Sequence, residues 1–248
     1  MQLLDLRDYI GSLLEVNRFR DYCPNGLQVE GRAKVNKIAT AVTASQAVLE
    51  EAVNWGADAL LVHHGYFWKN EDATITGIKK RRIEFLLKNE LSLLAYHLPL
   101  DAHPELGNNA QLAARLGWSI LGQFGEQNLG NYGVLTEPQT LAQLGASIGQ
   151  VLGRVPQIIG AEDKEIMRIA WCTGGAQGYF DQATSLNVDA FLTGEISEQN
   201  VHVAQETGMA FIAAGHYATE QFGVQALGRH LADHFSLQHR FFGQNISV

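Results

Sequence analysis

The hydrophobic and polar positions of the chain follow two alternating patterns. Short apolar runs such as Ala59–Val62 are separated by segments in which apolar residues recur every three to four positions. The short runs predict buried strands, and the periodic segments predict amphipathic helices. Strands that alternate with helices favour parallel pairing, so the pattern predicts an α/β fold.

The pattern also repeats within the chain. The stretch Ile38–His64 aligns with Ile169–Glu195 at a constant offset of 131 residues and without a gap. Each copy reads as a strand, a turn of small residues, an amphipathic helix, the dipeptide Asp-Ala and a second apolar strand that ends in polar residues. The stretches Leu91–Asp101 and Met209–Glu220 also correspond, because each is an apolar strand that ends in a histidine with a carboxylate four residues later.

This repeat predicts two related three-layer α/β/α lobes that arose by internal duplication. We place the first lobe at residues 1–128 and the second at residues 129–248, because the glycine-rich stretch 122–133 is the best candidate for a junction. In open α/β sheets, ligands bind beyond the carboxyl ends of the strands, where both copies carry polar residues. We therefore expect the strand ends of the two lobes to form one cleft that holds the functional site.

Histidine and carboxylate side chains accumulate at these strand ends. The set consists of His63, His64, His97, Asp101, Glu195, His216 and Glu220. Neutral imidazole and carboxylate are usual ligands of zinc, manganese and iron, and two cysteines are too few for a thiolate site. The set exceeds what one catalytic ion needs and fits two ions bridged by a carboxylate.

Spacing within the set indicates which ligands share an ion. Residues four apart lie on one face of a helix, so His216 and Glu220 can reach the same point. Neighbouring residues of a strand point to opposite sides, so we expect His63 and His64 to serve one ion each. A single histidine at a strand end is more often a structural residue than a ligand. The recurrence of the histidine–carboxylate spacing in both copies favours the metal site.

Three further features have both a chemical and a structural interpretation. His103 could transfer protons, or it could simply precede Pro104 in a loop. Gly174–Gly175 could expose backbone amides to an anion, although a tight strand-to-helix turn is the favoured interpretation. The pair Asn25–Gly26 predicts a turn, and nothing in its spacing indicates chemistry.

Composition and charge limit the classes of partner. A formal net charge of −8 disfavours direct binding of duplex nucleic acid, and the basic run at residues 79–82 lies on a predicted helix. No apolar segment approaches the roughly 18–20 residues needed to span a bilayer, and the amino-terminal stretch reads as an amphipathic helix rather than a signal peptide. We therefore expect no membrane association and a cytoplasmic location.

Six stretches together are similar to the Nif-three-like family, whose members are often named type 2 homologues of GTP cyclohydrolase I. They read DYCPNGLQVEG, GADALLVHHGYFWK, YHLPLDAHPELGNNAQLA, WCTGGAQ, DAFLTGEISEQ and AAGHYATE, and they extend from about residue 20 to residue 225. The resemblance is to the compact bacterial type. It implies two related α/β lobes with a dinuclear metal site between them and a ring-shaped homohexamer.

The resemblance also implies which residues hold which ion. His64, Asp101 and Glu220 would hold one divalent ion. His63, His216 and Glu220 would hold the other, so that Glu220 is the bridge. The ligand types do not distinguish zinc, manganese and iron.

Two functions of different classes are open at this point. The first is a dinuclear metal-dependent hydrolase acting on a small molecule, either a nucleotide, by ring opening like that of GTP cyclohydrolase, or a phosphoester or amide. In this function His97, which the resemblance places beside the site and not among the ligands, or His103 would transfer protons, because imidazole titrates near neutral pH. The second is a non-catalytic metal-binding ring that recruits protein partners.

Overall fold

The computed structural model describes residues 1–247, and helices and strands alternate between residues 37 and 102 and between residues 165 and 235, as predicted for the two copies of the repeat. The α-helices of these residues are α1 Leu3–Leu13, α2 Gln46–Trp55, α3 Gly77–Lys88, α4 Leu98–Ala102, α5 Asn108–Leu116, α6 Leu141–Leu152, α7 Phe180–Ala183, α8 Glu198–Thr207 and α9 His216–Phe235. The strands are β1 Gly26–Val29, β2 Lys37–Thr43, β3 Ala59–His64, β4 Ser92–Ala95, β5 Ser119–Phe124, β6 Gly130–Thr140, β7 Gln157–Ile159, β8 Glu165–Trp171, β9 Ala190–Thr193, β10 Ala210–Ala213 and β11 Gln238–Phe241. Short 3-10 helices lie at Val16–Arg18, Glu126–Asn128, Gln177–Tyr179 and Thr184–Leu186.

The chain divides into two compact units. Unit 1 consists of Met1–Leu100 and Gly223–Gln244, and unit 2 consists of Asp101–Phe222 with the short segment from residue 245 onward. The chain therefore passes from unit 1 to unit 2 within α4 and returns within α9. The boundary that we predicted between residues 128 and 129 falls inside unit 2, at the end of the Glu126–Asn128 turn.

Unit 1 is built on a five-stranded sheet with the strand order β1-β4-β3-β2-β11. Strands β4, β3, β2 and β11 run parallel, and β1 pairs antiparallel with β4 at the edge. Leu49 of α2 and Leu86 of α3 pack in one buried cluster with Leu60 and Leu93 of the sheet. Truncating a buried leucine of this kind to alanine typically lowers the free energy of unfolding by about 2–5 kcal/mol. Packing of this strength holds the ends of β3 and β4 in position.

Unit 2 is built on a six-stranded sheet with the strand order β5-β6-β8-β9-β10-β7. Its central strands β8, β9 and β10 are parallel, whereas β5, β6 and β7 pair antiparallel. Leu144 and Ile148 of α6 belong to one buried cluster with Trp171, Leu192 and Ile212 of the central strands. The predicted α/β class is confirmed, and both sheets are mixed rather than purely parallel.

Details of the two units recur at the offset of 131 residues. Asp58, before β3, accepts hydrogen bonds from two consecutive backbone amides at the start of β2, at 2.8 and 3.0 Å. Asp189, before β9, accepts hydrogen bonds from two consecutive amides of β8, at 2.9 and 2.7 Å. Gly56 and its counterpart Asn187 both have positive φ, at 78° and 51°, a conformation that glycine and asparagine tolerate best. These shared details support the internal duplication.

The longest helix is not a membrane span. α9 has 20 residues, which include three histidines, one glutamate, one arginine and one aspartate. Within residues 1–247, no helix combines the length and the apolar character that crossing a bilayer requires.

Candidate metal centre

Unit 1 brings three imidazoles together beyond the carboxyl ends of β3 and β4. His63 and His64 are the last residues of β3, and His97 follows β4 by two residues. The ring centroids are 4.6 Å apart for His63 and His64, 5.0 Å for His63 and His97, and 5.8 Å for His64 and His97. One nitrogen of each ring lies within 4.8 Å of a nitrogen of the other two. This group could therefore hold a metal ion.

The expectation that His63 and His64 point to opposite sides is not met. Their rings are neighbours, with the His63 side chain fully buried and the His64 side chain half-buried. Side chains alternate in the interior of a regular strand, but β3 ends at His64, and Gly65 and Tyr66 lie outside the strand. At such a strand end, the backbone turn and the side-chain torsions can bring adjacent rings to one side.

Each of the three rings is oriented through its Nδ1 atom. His63 Nδ1 donates to the backbone carbonyl of Tyr96 at 3.0 Å, and His97 Nδ1 donates to the Asp21 carboxylate at 2.8 Å. Because these oxygens only accept hydrogen bonds, the proton of either neutral ring is on Nδ1 and the lone pair is on Nε2. His64 Nδ1 pairs with a threonine hydroxyl of β2 at 3.2 Å. Metal-binding histidines almost always engage their second nitrogen in this way.

Asp21 and Asn25 clamp His97 in place. Asp21 Oδ1 accepts hydrogen bonds from the His97 ring and from the amide of Tyr22, and Oδ2 accepts from the Asn25 side chain at 2.8 Å and the Leu98 amide at 2.9 Å. Asn25 Oδ1 in turn accepts from the His97 backbone amide at 2.7 Å. Burial alone would raise the pKa of Asp21. The hydrogen bond and charge of His97, together with hydrogen bonds from the Asn25 side chain and the Tyr22 amide, outweigh burial and hold the pKa of Asp21 below its ordinary value. Asp21 is therefore ionised at neutral pH.

Neither Asp21 nor Asn25 was predicted from the sequence as a functional residue. Asp21 and Asn25 lie 76 and 72 residues before His97, and no periodicity connects positions so far apart. The visible signals were the Asn25–Gly26 turn, which begins β1, and the stretch DYCPNGLQVEG among those that resemble a known family.

Unit 2 brings Asp101, His216 and Glu220 together. Glu220 lies in the second turn of α9, with its side chain only 4% exposed, and Asp101 of α4 is also buried. Glu220 Oε2 is 3.1 Å from His216 Nε2, and oxygens of Glu220 and Asp101 lie within 4.8 Å of each other. Two carboxylates buried at this distance repel each other, so the arrangement favours a positive charge beside them.

His216 supplies part of that positive charge. Its hydrogen bond with Glu220, assisted by a 2.7 Å hydrogen bond from Nδ1 to Glu195, raises the pKa of His216 to about 9 in spite of burial. The ring is therefore protonated at neutral pH and donates from both nitrogens. A metal ion bound here would replace the proton on Nε2, because a ligating imidazole must be neutral.

The turn after β8 leaves space for the Glu220 carboxylate. Gly174 has a φ of 72°, and a Cβ atom at this position would collide with Glu220 Oε1. Its amide donates to the Thr219 hydroxyl at 3.0 Å, which holds the turn against α9. Only a 3-10 turn and the four-residue α7 follow. These contacts agree with the favoured interpretation of Gly174–Gly175 as a turn between a strand and a helix.

A polar network fixes Asp101. Its Oδ1 accepts hydrogen bonds from the Asn108 side chain at 2.9 Å and from the Thr173 hydroxyl at 3.4 Å. Asn109 extends the network, because its Oδ1 accepts a hydrogen bond from the Thr173 amide at 3.0 Å. The neighbouring Cys172 thiol is buried, and burial together with the charges of Asp101 and Glu220 raises its pKa well above the ordinary value. Cys172 therefore stays protonated beside this cluster.

His103 and Glu195, which the sequence also indicated as candidates, make other contacts. His103 follows α4, and its Nδ1 accepts hydrogen bonds from the amides of Glu105 at 3.2 Å and Leu106 at 3.0 Å. Among the described residues, His103 belongs to none of the groups of three metal-ligating side chains whose atoms lie within 4.8 Å. Glu195 contacts the His216 ring and the Gln177 side chain, so it orients His216 from the side away from Glu220.

Known proteins resemble the chain over nearly all of its length. The family Duf34/NIF3 (NGG1p interacting factor 3) matches residues 1–245. Proteins named GTP cyclohydrolase 1 type 2 homolog from Neisseria meningitidis serogroup A and Escherichia coli K12 are 54% and 50% identical over 241 and 242 residues, which is 97% of this chain and 97% of each relative. The relative of that name from Pseudomonas aeruginosa is 55% identical over 231 residues, 92% of this chain and 91% of its own.

Solved structures show the same fold. A structural-genomics protein called ybgI, described as of unknown function, has a TM-score of 0.96 and 48% identity, with both chains fully covered. The protein TTHA1606 from Thermus thermophilus has a TM-score of 0.92 and 35% identity, again with both chains fully covered. The family match, the sequence identities and the shared fold agree, and the chain belongs to the Duf34/NIF3 family.

Proposed function

We propose that this chain is a metal-dependent hydrolase that holds two divalent ions. His64, Asp101 and Glu220 would bind one ion, and His63, His216 and Glu220 would bind the other, with Glu220 as the bridge. Its relatives are named homologues of GTP cyclohydrolase 1, which favours a small-molecule substrate and, among small molecules, a nucleotide.

The observation that carries this proposal is the pair of buried carboxylates in unit 2. Asp101 and Glu220 lie within 4.8 Å of each other, and the pKa of the adjacent His216 is raised to about 9. Buried like charges are costly unless a cation compensates them. The donors at hand are imidazole and carboxylate, which suit zinc, manganese and iron.

Different residues of the chain would have different roles at such a site. The ions would lower the pKa of coordinated water and polarise the bond to be cleaved. Glu220 can span both ions because a carboxylate has two oxygens, and Asn108 and Thr173 hold Asp101 in position. Of the two candidates for proton transfer, His97 is oriented by Asp21 with its lone pair on Nε2, whereas His103 turns Nδ1 toward its own loop.

The test is a screen of the metal-loaded protein against nucleotides including GTP, simple phosphoesters and small amides. We expect hydrolysis of at least one class and a loss of at least about 100-fold in Glu220→Gln, which keeps the shape of the side chain and removes its charge. Glu198→Gln is the matched control, because Glu198 is an exposed residue of α8. Full activity in Glu220→Gln would contradict the proposal. Retention of two ions with no turnover across the screen would favour the metal-binding ring instead.

We extend the proposal to a homohexamer, for which the family resemblance is the support. One chain has a mass of 27.2 kDa, so sedimentation should give a particle of six times that mass. A monomer or dimer at micromolar concentration would remove this part of the proposal without affecting the metal site.

A further inference from the structure

We infer that Tyr22 and Trp68 form an aromatic wall that binds a planar heteroaromatic ring of the substrate beside the candidate metal centre. The inference rests on the proposed function, because it names a feature that the substrate of that site should have, and it assigns no metal ligand. Both residues belong to unit 1, where Tyr22 precedes β1 and Trp68 follows β3.

Both side chains lie against the His97 ring. The Trp68 ring meets it edge to face, with a centroid distance of 5.1 Å and an interplanar angle of 87°. The Tyr22 centroid is 6.5 Å from that of His97, at an angle of 62°. The Trp68 centroid also lies 6.0 Å from that of His64. A ring held by the aromatic wall would therefore lie next to the imidazoles that the proposed function uses.

The Tyr22 ring is accessible, although the backbone of this residue is held in place. Tyr22 is 57% exposed, and Trp68 is half-buried. The Tyr22 amide donates to the Asp21 carboxylate at 2.6 Å, and the Tyr22 carbonyl accepts a hydrogen bond from the Lys69 amide at 2.6 Å. The second bond joins the two segments that carry the aromatic wall. Tyrosine and tryptophan in such a position offer a large binding area and lose little conformational freedom when a ligand binds.

The turn that carries Trp68 is strained. Phe67 has a φ of 66°, a left-handed conformation that is rare for a bulky side chain. One carboxylate oxygen of Glu71 accepts hydrogen bonds from the amides of Phe67 at 3.0 Å and Trp68 at 3.2 Å. Lys79 lies 3.5 Å from the other oxygen of this carboxylate. Strain of this kind persists where neighbouring contacts hold it, and it is frequent at active sites and ligand clamps, so it indicates a function for the side chain that the turn presents.

Gln28 of β1 holds the other side of the turn. Its Oε1 accepts a hydrogen bond from the Tyr66 amide at 2.7 Å, and its Nε2 donates to the Tyr66 carbonyl at 3.0 Å. The Tyr66 hydroxyl donates to the carbonyl of Ala44 at 2.8 Å. The backbone at Trp68 is therefore fixed before any ligand binds, which lowers the cost of stacking against its side chain.

An aromatic wall without formal charge selects for planar rings. Aromatic side chains stack on flat π systems, and base–aromatic stacking contributes roughly 5–150-fold in affinity per base, with little preference among bases. Of the substrate classes in the proposed function, nucleotides carry such a ring, whereas aliphatic phosphoesters and small aliphatic amides do not. The aromatic wall therefore favours a nucleotide or a similar heteroaromatic compound.

The experiment measures the binding of GMP and ribose 5-phosphate to the metal-loaded full chain by titration calorimetry. The two probes share the sugar and the phosphate, so only the ring distinguishes them. We expect GMP to bind the wild type at least about 10-fold more tightly than ribose 5-phosphate. Trp68→Ala and Tyr22→Ala should each weaken GMP binding by about 5–100-fold and leave ribose 5-phosphate binding unchanged.

Three comparisons guard against indirect effects. Trp68→Phe keeps a ring, so it should lose less GMP affinity than Trp68→Ala. Leu87→Ala is the matched control and should bind both probes like the wild type, because Leu87 is exposed to a similar extent, 56%, on α3. Metal content and melting temperature show whether each variant keeps the metal site and the fold. Tyr22→Ala changes an exposed position and decides the matter if Trp68→Ala does not fold.

The outcomes separate the aromatic wall from the proposed hydrolase. Ring-dependent binding of GMP without turnover of any nucleotide would keep the aromatic wall and contradict the hydrolase. Failure of GMP to bind the wild type, or equal GMP affinity in the wild type and both alanine variants, would overturn the inference. Equal weakening of both probes would also overturn it, because the effect would then lie on the metal centre. A changed particle mass of Tyr22→Ala with unchanged GMP affinity would instead assign Tyr22 to a contact between copies of the chain.

Discussion

The position of the Glu220 carboxylate depends on Gly174, a neighbouring residue that has no side chain. Gly174 has a positive φ, and a Cβ atom added to it would overlap the Glu220 carboxylate. A methyl group there would have to displace Oε1 in a region packed around Thr219. The position of the Glu220 carboxylate therefore depends on the backbone conformation of a turn that is close in space and distant in sequence.

We predict that Gly174→Ala destabilises the protein by about 1–3 kcal/mol, from backbone strain at positive φ and displacement of Glu220. It should also weaken metal binding, because the proposed bridging ligand moves. Gly178→Ala is the control, since a Cβ at Gly178 meets nothing within 4 Å. Urea unfolding gives the free energy. Equal stability of the two variants would show that the turn adapts.

Among the secondary-structure elements, neighbouring strands are joined by two aspartates, Asp58 and Asp189. Asp189 accepts two amide hydrogen bonds from β8, and Asp58 does the same with the start of β2. Hydrogen bonds to a charged group contribute about 1.5–3 kcal/mol each, so we expect Asp189→Ala and Asp58→Ala each to cost at least about 2 kcal/mol. Asp163→Ala, in an exposed loop, should cost far less. Similar losses at the two paired positions would agree with the duplication, and a negligible loss at either would contradict the shared role.

Strand β11 carries a half-buried histidine, His239, whose pKa is lowered in the folded chain. His239 Nε2 lies 2.8 Å from the Thr40 hydroxyl of β2, and burial, with a smaller effect of Arg229, lowers the pKa of His239. Its folded pKa is below the unfolded value of about 6.5, so its contribution to stability is present above that pH and is lost as the pH falls through the folded pKa.

We therefore predict that His239→Gln, which keeps a hydrogen-bonding group without titration, reduces the fall in unfolding free energy below about pH 6.5. His202→Gln is the control, because the His202 side chain is largely exposed on α8. Urea unfolding between pH 5 and pH 7.5 measures both. Parallel curves for wild type and His239→Gln would show that this ring does not titrate with folding.

Local patterns predicted the central elements of both sheets and failed at their edges. The apolar runs around Ile38 and Leu60 and their counterparts at the offset of 131 form parallel strands, as expected. Strands β1, β5, β7 and β11 were not assigned, since short or half-exposed edge strands carry a weak periodic signal. Strand β6, which lies between β5 and β8, was also not assigned, because its first residues belong to the glycine-rich stretch that we interpreted as a junction. Their partners lie far away in sequence, as the pairing of β11 with β2 illustrates.

At the scale of the whole molecule, the residue types of the candidate metal-binding groups could be predicted because the repeat placed histidines and carboxylates at equivalent strand ends. The orientation of each ring could not be predicted. It depends on Nδ1 partners such as Asp21 for His97 and the Tyr96 carbonyl for His63, which only the folded chain brings near. The neighbouring positions of the His63 and His64 rings were also missed, because the strand rule was applied at the last residues of a strand.

The proposed function requires one chain to hold two divalent ions with Glu220 between them. The most direct test is the metal content per chain after reconstitution with Zn²⁺ and identical dialysis, for the wild type, Glu220→Gln and the control Glu198→Gln. We predict two ions for the wild type and the control, and at most one for Glu220→Gln, because that substitution removes the charge that allows two cations to lie about 3.5–4 Å apart. One ion or none in the reconstituted wild type, or two ions retained by Glu220→Gln, would contradict the proposal of a two-ion site bridged by Glu220.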